Sequence, residues 1–133
     1  MYITEAKVND VNAMDEIPYQ AGSFYIFDRG YNDFSRLFTI HKLGAIFIVR
    51  SKKNVKIKRI SWKRRLQDNI LSDSTIHFAG YYPEKDYPEK LRLVKYWDKE
   101  KQREFIFLTN NFDLTALEIS ELYRQRWQIE LFF

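Results

Sequence analysis

The sequence predicts an α/β fold: a parallel βαβ unit, then a mostly antiparallel β region, then a C-terminal helix. Three observations carry this. Two apolar runs, "SFYIF" and "AIFIVR", flank a stretch with helical spacing. Four strand-like runs follow between residues 54 and 109. The final stretch, "NNFDLTALEISELYRQRWQIELFF", has a helix-start signal and no stop.

"SFYIF" is a run of strand formers without alternation, as expected of a strand buried on both faces. In "YNDFSRLFTIHKLG", Phe34, Leu37, Phe38 and His41 recur at helical spacing, and Gly44 stands where a helix would stop. Strand, helix, strand at this spacing implies two parallel strands. "MYITEAK" suits the end of an earlier strand, and "NDVNAMDEI" suits a short helix with Asn9 or Asp10 as cap.

Beyond this unit, "VKIKRI", "TIHFAG", "LRLVKYW" and "EFIFLTN" read as strands, and "DKEKQR" as a polar hairpin loop. "YPEKDYPEK" repeats Tyr-Pro-Glu-Lys and, with two prolines, reads as a loop. Thr115 with Glu118 fits a capping box, so a helix is expected from about Ala116 onward. No turn signal stops it before Phe133. The chain of 133 residues is expected to form a single domain, with a β-rich insertion over about 54–109.

Composition narrows the chemistry. Hydrophobic residues make up 45% and aromatics 17%, enough to fill a core. There is no cysteine, which excludes disulfides and thiolate metal sites, and two histidines are too few for a His-rich zinc site. No apolar run reaches membrane length and no signal pattern opens the sequence, so a soluble intracellular protein is expected.

Net charge is +4, but its distribution is uneven. Phe34 to Gln67 holds eleven Lys or Arg and no acid, whereas the remainder holds eleven bases against eighteen acids. A basic block in an acidic chain marks either a polyanion contact or a solvated face.

Two carboxylates stand out. Asp28 follows "FYIF" at the tip of a predicted strand, where functional groups of open α/β sheets gather, and Gly30 permits a sharp exit. It could instead cap the next helix, although Asn32 and Asp33 lie closer to that helix. On the last helix, ~100° per residue places Arg126 and Glu130 on the same side as Ile119, Leu122 and Phe133. They are either an i,i+4 ion pair or part of a site. Two such carboxylates, one on a strand tip and one on a late helix, suit magnesium, which prefers hard oxygen ligands. Paired ions of this kind serve phosphoryl transfer.

Two motifs together resemble a known family. "FDRGY", Phe27 to Tyr31, resembles the segment around the second catalytic aspartate of bacterial insertion-sequence DDE transposases. "YRQRWQIELFF" resembles the C-terminal signature of the IS-four branch, a Tyr-Arg-Glu-Lys pattern in which Tyr123, Arg126 and Glu130 take the first three places. "GAIFIVR" and "FLTNNFDLTALEI" are also similar, so the resemblance covers about Asn9 to Phe133.

The resemblance implies a ribonuclease-H-like fold, here partial, with a β insertion between the second aspartate and the glutamate. It implies DNA transposition by Mg²⁺-dependent strand cleavage and transfer, with Mn²⁺ as a substitute ion. Asp28 and Glu130 would be catalytic metal ligands, and Tyr123 and Arg126 would contact transposon-end phosphate. The basic residues Lys52, Lys53, Lys56, Lys58, Arg59, Lys63, Arg64 and Arg65 would contact double-stranded DNA of transposon ends and target. A homodimer within a synaptic complex and a cytoplasmic, nucleoid-associated location are implied too. In relatives an insertion-region Trp stacks on an extruded base, a role open to Trp62 here, although core packing would equally account for Trp62 and Trp97.

The chain departs from the pattern at two places. The signature lysine would fall seven residues past Glu130, and no acid-tipped first strand precedes "MYITEAK". The expectation is a partial catalytic domain that does not transpose alone. The alternatives are a catalytically dead DNA-binding remnant and an α/β domain whose bases only solvate it.

Overall fold

The computed structural model describes residues 2–6, 21–27 and 34–130, with side chains in 21–27, 34–80 and 83–125. Seven strands are present among them: β1 (Tyr2–Ala6), β2 (Ser23–Phe27), β3 (Ile46–Arg50), β4 (Ile57–Trp62), β5 (Ile70–Phe78), β6 (Leu91–Asp98) and β7 (Arg103–Thr109). Three helices accompany them: α1 (Phe34–Lys42), α2 (Tyr81–Asp86) and α3 (Ala116–Glu130). The short helix expected in "NDVNAMDEI" lies outside the described residues.

All seven strands form one sheet in the order β1-β2-β3-β7-β6-β5-β4. β1, β2 and β3 are parallel, as a βαβ connection requires. β7 then pairs antiparallel with β3, and the remaining pairs are antiparallel. The β-rich region therefore continues the parallel sheet edge to edge. Asn110 secures this junction. Its side-chain oxygen accepts the Phe47 N–H at 3.0 Å, and its amide donates to the Ala45 carbonyl at 2.9 Å.

Alternation along the buried strands divides the core into two layers. Tyr25 and Phe27 pack on one face with Leu37, Ile40, Phe47 and Tyr87. Phe24 and Ile26 pack on the other with Ile48, Phe107, Ile119 and Tyr123. Helix α1 thus covers one face and α3 the opposite face. α1 ends as its sequence suggests: Gly44 takes φ +78°, and its N–H donates to the His41 carbonyl at 3.0 Å.

"YPEKDYPEK" departs from the expected loop. Its first half is α2, because Pro83 sits in the first turn, where a missing N–H costs no helical bond. Its second half anchors the segment through Tyr87, which is fully buried among Phe38, Phe47 and Phe78. β5 also begins earlier than the apolar pattern suggests, at Ile70, because "LSDS" is held by pairing with β6 rather than by its own hydrophobicity.

Among the described residues no helix is long and apolar enough to cross a membrane.

Candidate functional site

The ends of β2 and β3 lie side by side, with Phe27 in register with Val49. Asp28 follows Phe27 in the chain and lies outside the described residues. Across the sheet, β7 runs opposite to β3, so its first residues pass the end of β3. Arg50 is in register with Phe107, and the Ser51 N–H donates to the Ile106 carbonyl at 2.8 Å.

Helix α3 starts near the far side of the sheet. The Leu117 N–H donates to the Gln67 side chain at 3.0 Å, just ahead of β5. Its capping box is complete: the Glu118 N–H donates to Thr115 Oγ1 at 3.1 Å, and the Thr115 N–H to Glu118 Oε1 at 3.0 Å. These hydrogen bonds hold the Glu118 carboxyl below its ordinary pKa. By Tyr123 the helix lies over β7, with ring centroids 4.7 Å from Phe107 and 6.4 Å from Phe105. Arg124 reaches Tyr96 Oη at 3.1 Å and Glu100, in the β6–β7 turn, at 4.0 Å. The helix has thus returned along β7 toward the edge where β2 and β3 end. Arg126 and Glu130 belong to this helix, and their side chains lie outside the described ones.

Tyr123 is only 2% exposed and its ring is engaged in packing, which leaves little surface for a backbone phosphate. It borders a cleft of about 270 Å³, together with Asp98, Glu100, Lys101, Phe105 and Arg124. Asp98 shapes that cleft by accepting the N–H groups of Glu100 and Lys101, at 2.9 and 3.1 Å. The polar loop read from "DKEKQR" is this tight turn.

The later part of the basic block lies at the opposite edge of the sheet, whereas Lys52 and Lys53 directly follow β3. β4 is an edge strand, and all eight singled-out bases, Lys52, Lys53, Lys56, Lys58, Arg59, Lys63, Arg64 and Arg65, are exposed. A bulge interrupts the pairing with β5 between Arg59 and Ser61. Trp62 is 59% exposed, and Ile60 and Leu66 are exposed beside it. Trp62 is therefore not a core residue. With Phe112 it flanks a smaller cleft, about 130 Å³, floored by Ser74, Thr75 and Arg92. Trp97 is half-buried in β6.

Behind this cleft lies a group that sequence reasoning missed. Arg92 is 1% exposed and grips Asp73 with two bonds of 2.8 Å, from Nε to Oδ1 and from Nη2 to Oδ2. Its Nη1 donates to the carbonyls of Asn111 and Leu114, ahead of α3. Lys63 Nζ stands 3.5 Å from Asp73. Burial alone would raise the Asp73 pKa, but the bonds and charge of Arg92, with Lys63, hold it below the ordinary value. The only sequence signal was a basic residue at an inward position of "LRLV".

The transposase DDE domain model matches residues 1–133, the whole chain. The chain belongs to this family. It is 32% identical over 137 aligned residues to y4zB of Sinorhizobium fredii, which carries the name of a transposase; the match covers 98% of this chain and 38% of that protein. It is 26% identical over 106 residues to a protein of Geobacillus stearothermophilus that carries the name of transposase for insertion sequence element IS5377. That match covers 80% of this chain and 28% of the relative. The chain thus spans well under half the length of these curated relatives. DDE transposases in general work with a divalent metal. Among the described residues of this family member, no group of three or more His, Asp or Glu is gathered to hold one.

Proposed function

We propose that this chain is part of the catalytic domain of a bacterial insertion-sequence DDE transposase of the IS-four branch, with a ribonuclease-H-like core. The observation that carries this reading is the path of α3. Glu130 follows Tyr123 by seven residues, two turns and roughly 10 Å along the axis. That path leads toward the edge where Phe27 ends β2, one residue before Asp28. Position 130 also falls on the stripe of Ala116 and Tyr123, both of which face the sheet.

Asp28 and Glu130 are hard oxygen donors and would hold Mg²⁺, with Mn²⁺ as a substitute. The ion would activate an attacking water or 3′-hydroxyl and stabilise the leaving oxygen of a DNA phosphodiester. The chain's own part is to bring the two carboxylates to one edge. Arg126 is proposed to contact transposon-end phosphate, and Tyr123 only through the part that borders the cleft. The third acid of the triad is not among the residues assigned, so this chain alone is proposed not to cut DNA.

The basic edge strand is proposed to hold double-stranded DNA. Charged edges with bulges also serve to block edge-to-edge pairing. An exposed Trp and two exposed aliphatics among those bases do not serve that end, but they do suit a binding surface. The test is binding of a short duplex by fluorescence anisotropy across a salt series. Strong salt dependence is expected, with the slope reduced by about 2–3 in Lys56→Gln/Lys58→Gln/Arg59→Gln. An unchanged slope would leave β4 with edge protection alone.

A further inference from the structure

The end of β4 and the start of α3 share a face that carries more apolar surface than a phosphate contact uses. Three large apolar side chains stand out there: Trp62 is 59% exposed, Phe112 45% and Leu66 40%. Trp62 and Phe112 flank one cleft, and Gln67, next to Leu66, accepts the Leu117 N–H. Beyond them the face runs along α3, where Leu114 and Leu122 line a shallow groove with Glu118 and Glu121. These groups therefore form a patch and are not scattered singly over the surface. The cations of β4 hold phosphate without them, since backbone contacts are made by charge and hydrogen bonds. Protein surfaces leave such patches open mainly where another molecule covers them.

The charges around the patch identify its occupant. On the β4 side stand Lys63, Arg64 and Arg65, all exposed, with Asp68 a little further on. On the α3 side stand Asp113 and Glu118, both exposed, and Glu121, half-exposed. Lys63 is engaged with Asp73, Glu118 with its capping box and Glu121 with Arg124, but none of these bonds joins the two sides. A face with one sign at each end is complementary to itself. A two-fold axis through its apolar centre lays the basic side of each copy on the acidic side of the other. A partner of a single sign, DNA included, would be repelled at one end. We propose that this face joins two copies of this chain, with Trp62, Leu66 and Phe112 at the centre and Arg64 and Arg65 against the partner subunit's Asp113 and the partner subunit's Glu121. An aromatic centre within a charged rim is the usual anatomy of such contacts. Three anchors per copy make a small centre, so the dimer is of micromolar rather than nanomolar strength. The inference stands apart from the transposase reading, and it leaves Lys58 and Arg59 of β4 for DNA.

The experiment is sedimentation velocity of the full chain without DNA, over a concentration series into the high micromolar range. The unaltered chain is expected to pass from monomer to dimer. Trp62→Ser/Phe112→Ser, at two exposed positions, is expected to stay monomeric with an unchanged thermal midpoint. Arg64→Glu/Arg65→Glu and Asp113→Lys/Glu121→Lys should each weaken self-association about tenfold or more, since like charges then meet. A mixture of these two charge-reversed chains should dimerise again, because opposite signs then face each other at both ends. Should a charge reversal unfold the chain, Trp62→Ser/Phe112→Ser decides alone. A monomer throughout the series overturns the proposal, as does a dimer that Trp62→Ser/Phe112→Ser leaves intact. A mixture of folded charge-reversed chains that stays monomeric overturns the two-fold pairing. A monomer whose binding to a short duplex is weakened by Trp62→Ser/Phe112→Ser gives the patch to DNA instead.

Discussion

Arg92 and Asp73 form a buried, two-bond ion pair that joins the centre of the antiparallel region to the segment leading into α3. The pair therefore contributes, with the Thr115–Glu118 capping box and Gln67, to fixing where the helix carrying Glu130 begins.

Asp73→Ala leaves a buried guanidinium without its counter-charge. It is expected to lower stability by about 3–5 kcal/mol. Asp73→Leu/Arg92→Met, which removes both charges, is expected to cost less than Asp73→Ala alone. Urea unfolding of the three proteins checks this order. Equal losses in both variants would mean that the charges are not coupled.

The same pair makes the fold sensitive to acid. Asp73 titrates below its ordinary 3.8 in the folded chain. Its contribution is present in full above the unfolded value and is lost as pH falls through the folded one. The thermal midpoint should therefore decline as pH drops below about 3.8. In Asp73→Asn that part of the decline should be absent.

Tyr87 acts at the other end of the pH scale. Its hydroxyl is buried with no hydrogen-bond partner among the described residues, and burial pushes its pKa well above 10.0. Stability from such a group is present below the unfolded pKa and is lost as pH rises beyond it. Tyr87→Phe is expected to match the unaltered chain at neutral pH within about 1 kcal/mol. Above pH 10 it should be the more stable of the two, as circular dichroism melts would record.

Cleavage is a separate matter. Under the proposed assignment, which names Asp28 and Glu130 and no third acid, the unaltered chain is expected to leave transposon-end DNA intact with Mg²⁺ or Mn²⁺. Nicking that disappears in Asp28→Ala would contradict this.

Much of the fold was legible because its signals are local. The strands of "SFYIF" and "AIFIVR" announce themselves by unbroken apolar residues, Gly44 by its place after a helical period, and Thr115 with Glu118 by spacing. What escaped depends on distant partners. Helix α2 hides behind two prolines, one of which falls where a helix tolerates it. Arg92 reads as an ordinary strand residue until Asp73, nineteen positions away, is set beside it. The eight bases were visible as a charge run, but not that Lys58 and Arg59 lie on an exposed edge strand beside an exposed Trp62.

The central claim is that Asp28 and Glu130 share one metal ion. Mn²⁺ uptake by the full chain, followed through loss of the free-ion electron paramagnetic resonance signal, tests it most directly. Weak uptake is expected, on the order of millimolar, displaced by excess Mg²⁺. Asp28→Asn and Glu130→Gln should each reduce it, and the double variant should lose less than the sum of the two, as partners on one ion do. Uptake untouched by either substitution, or losses that simply add, would contradict a shared site.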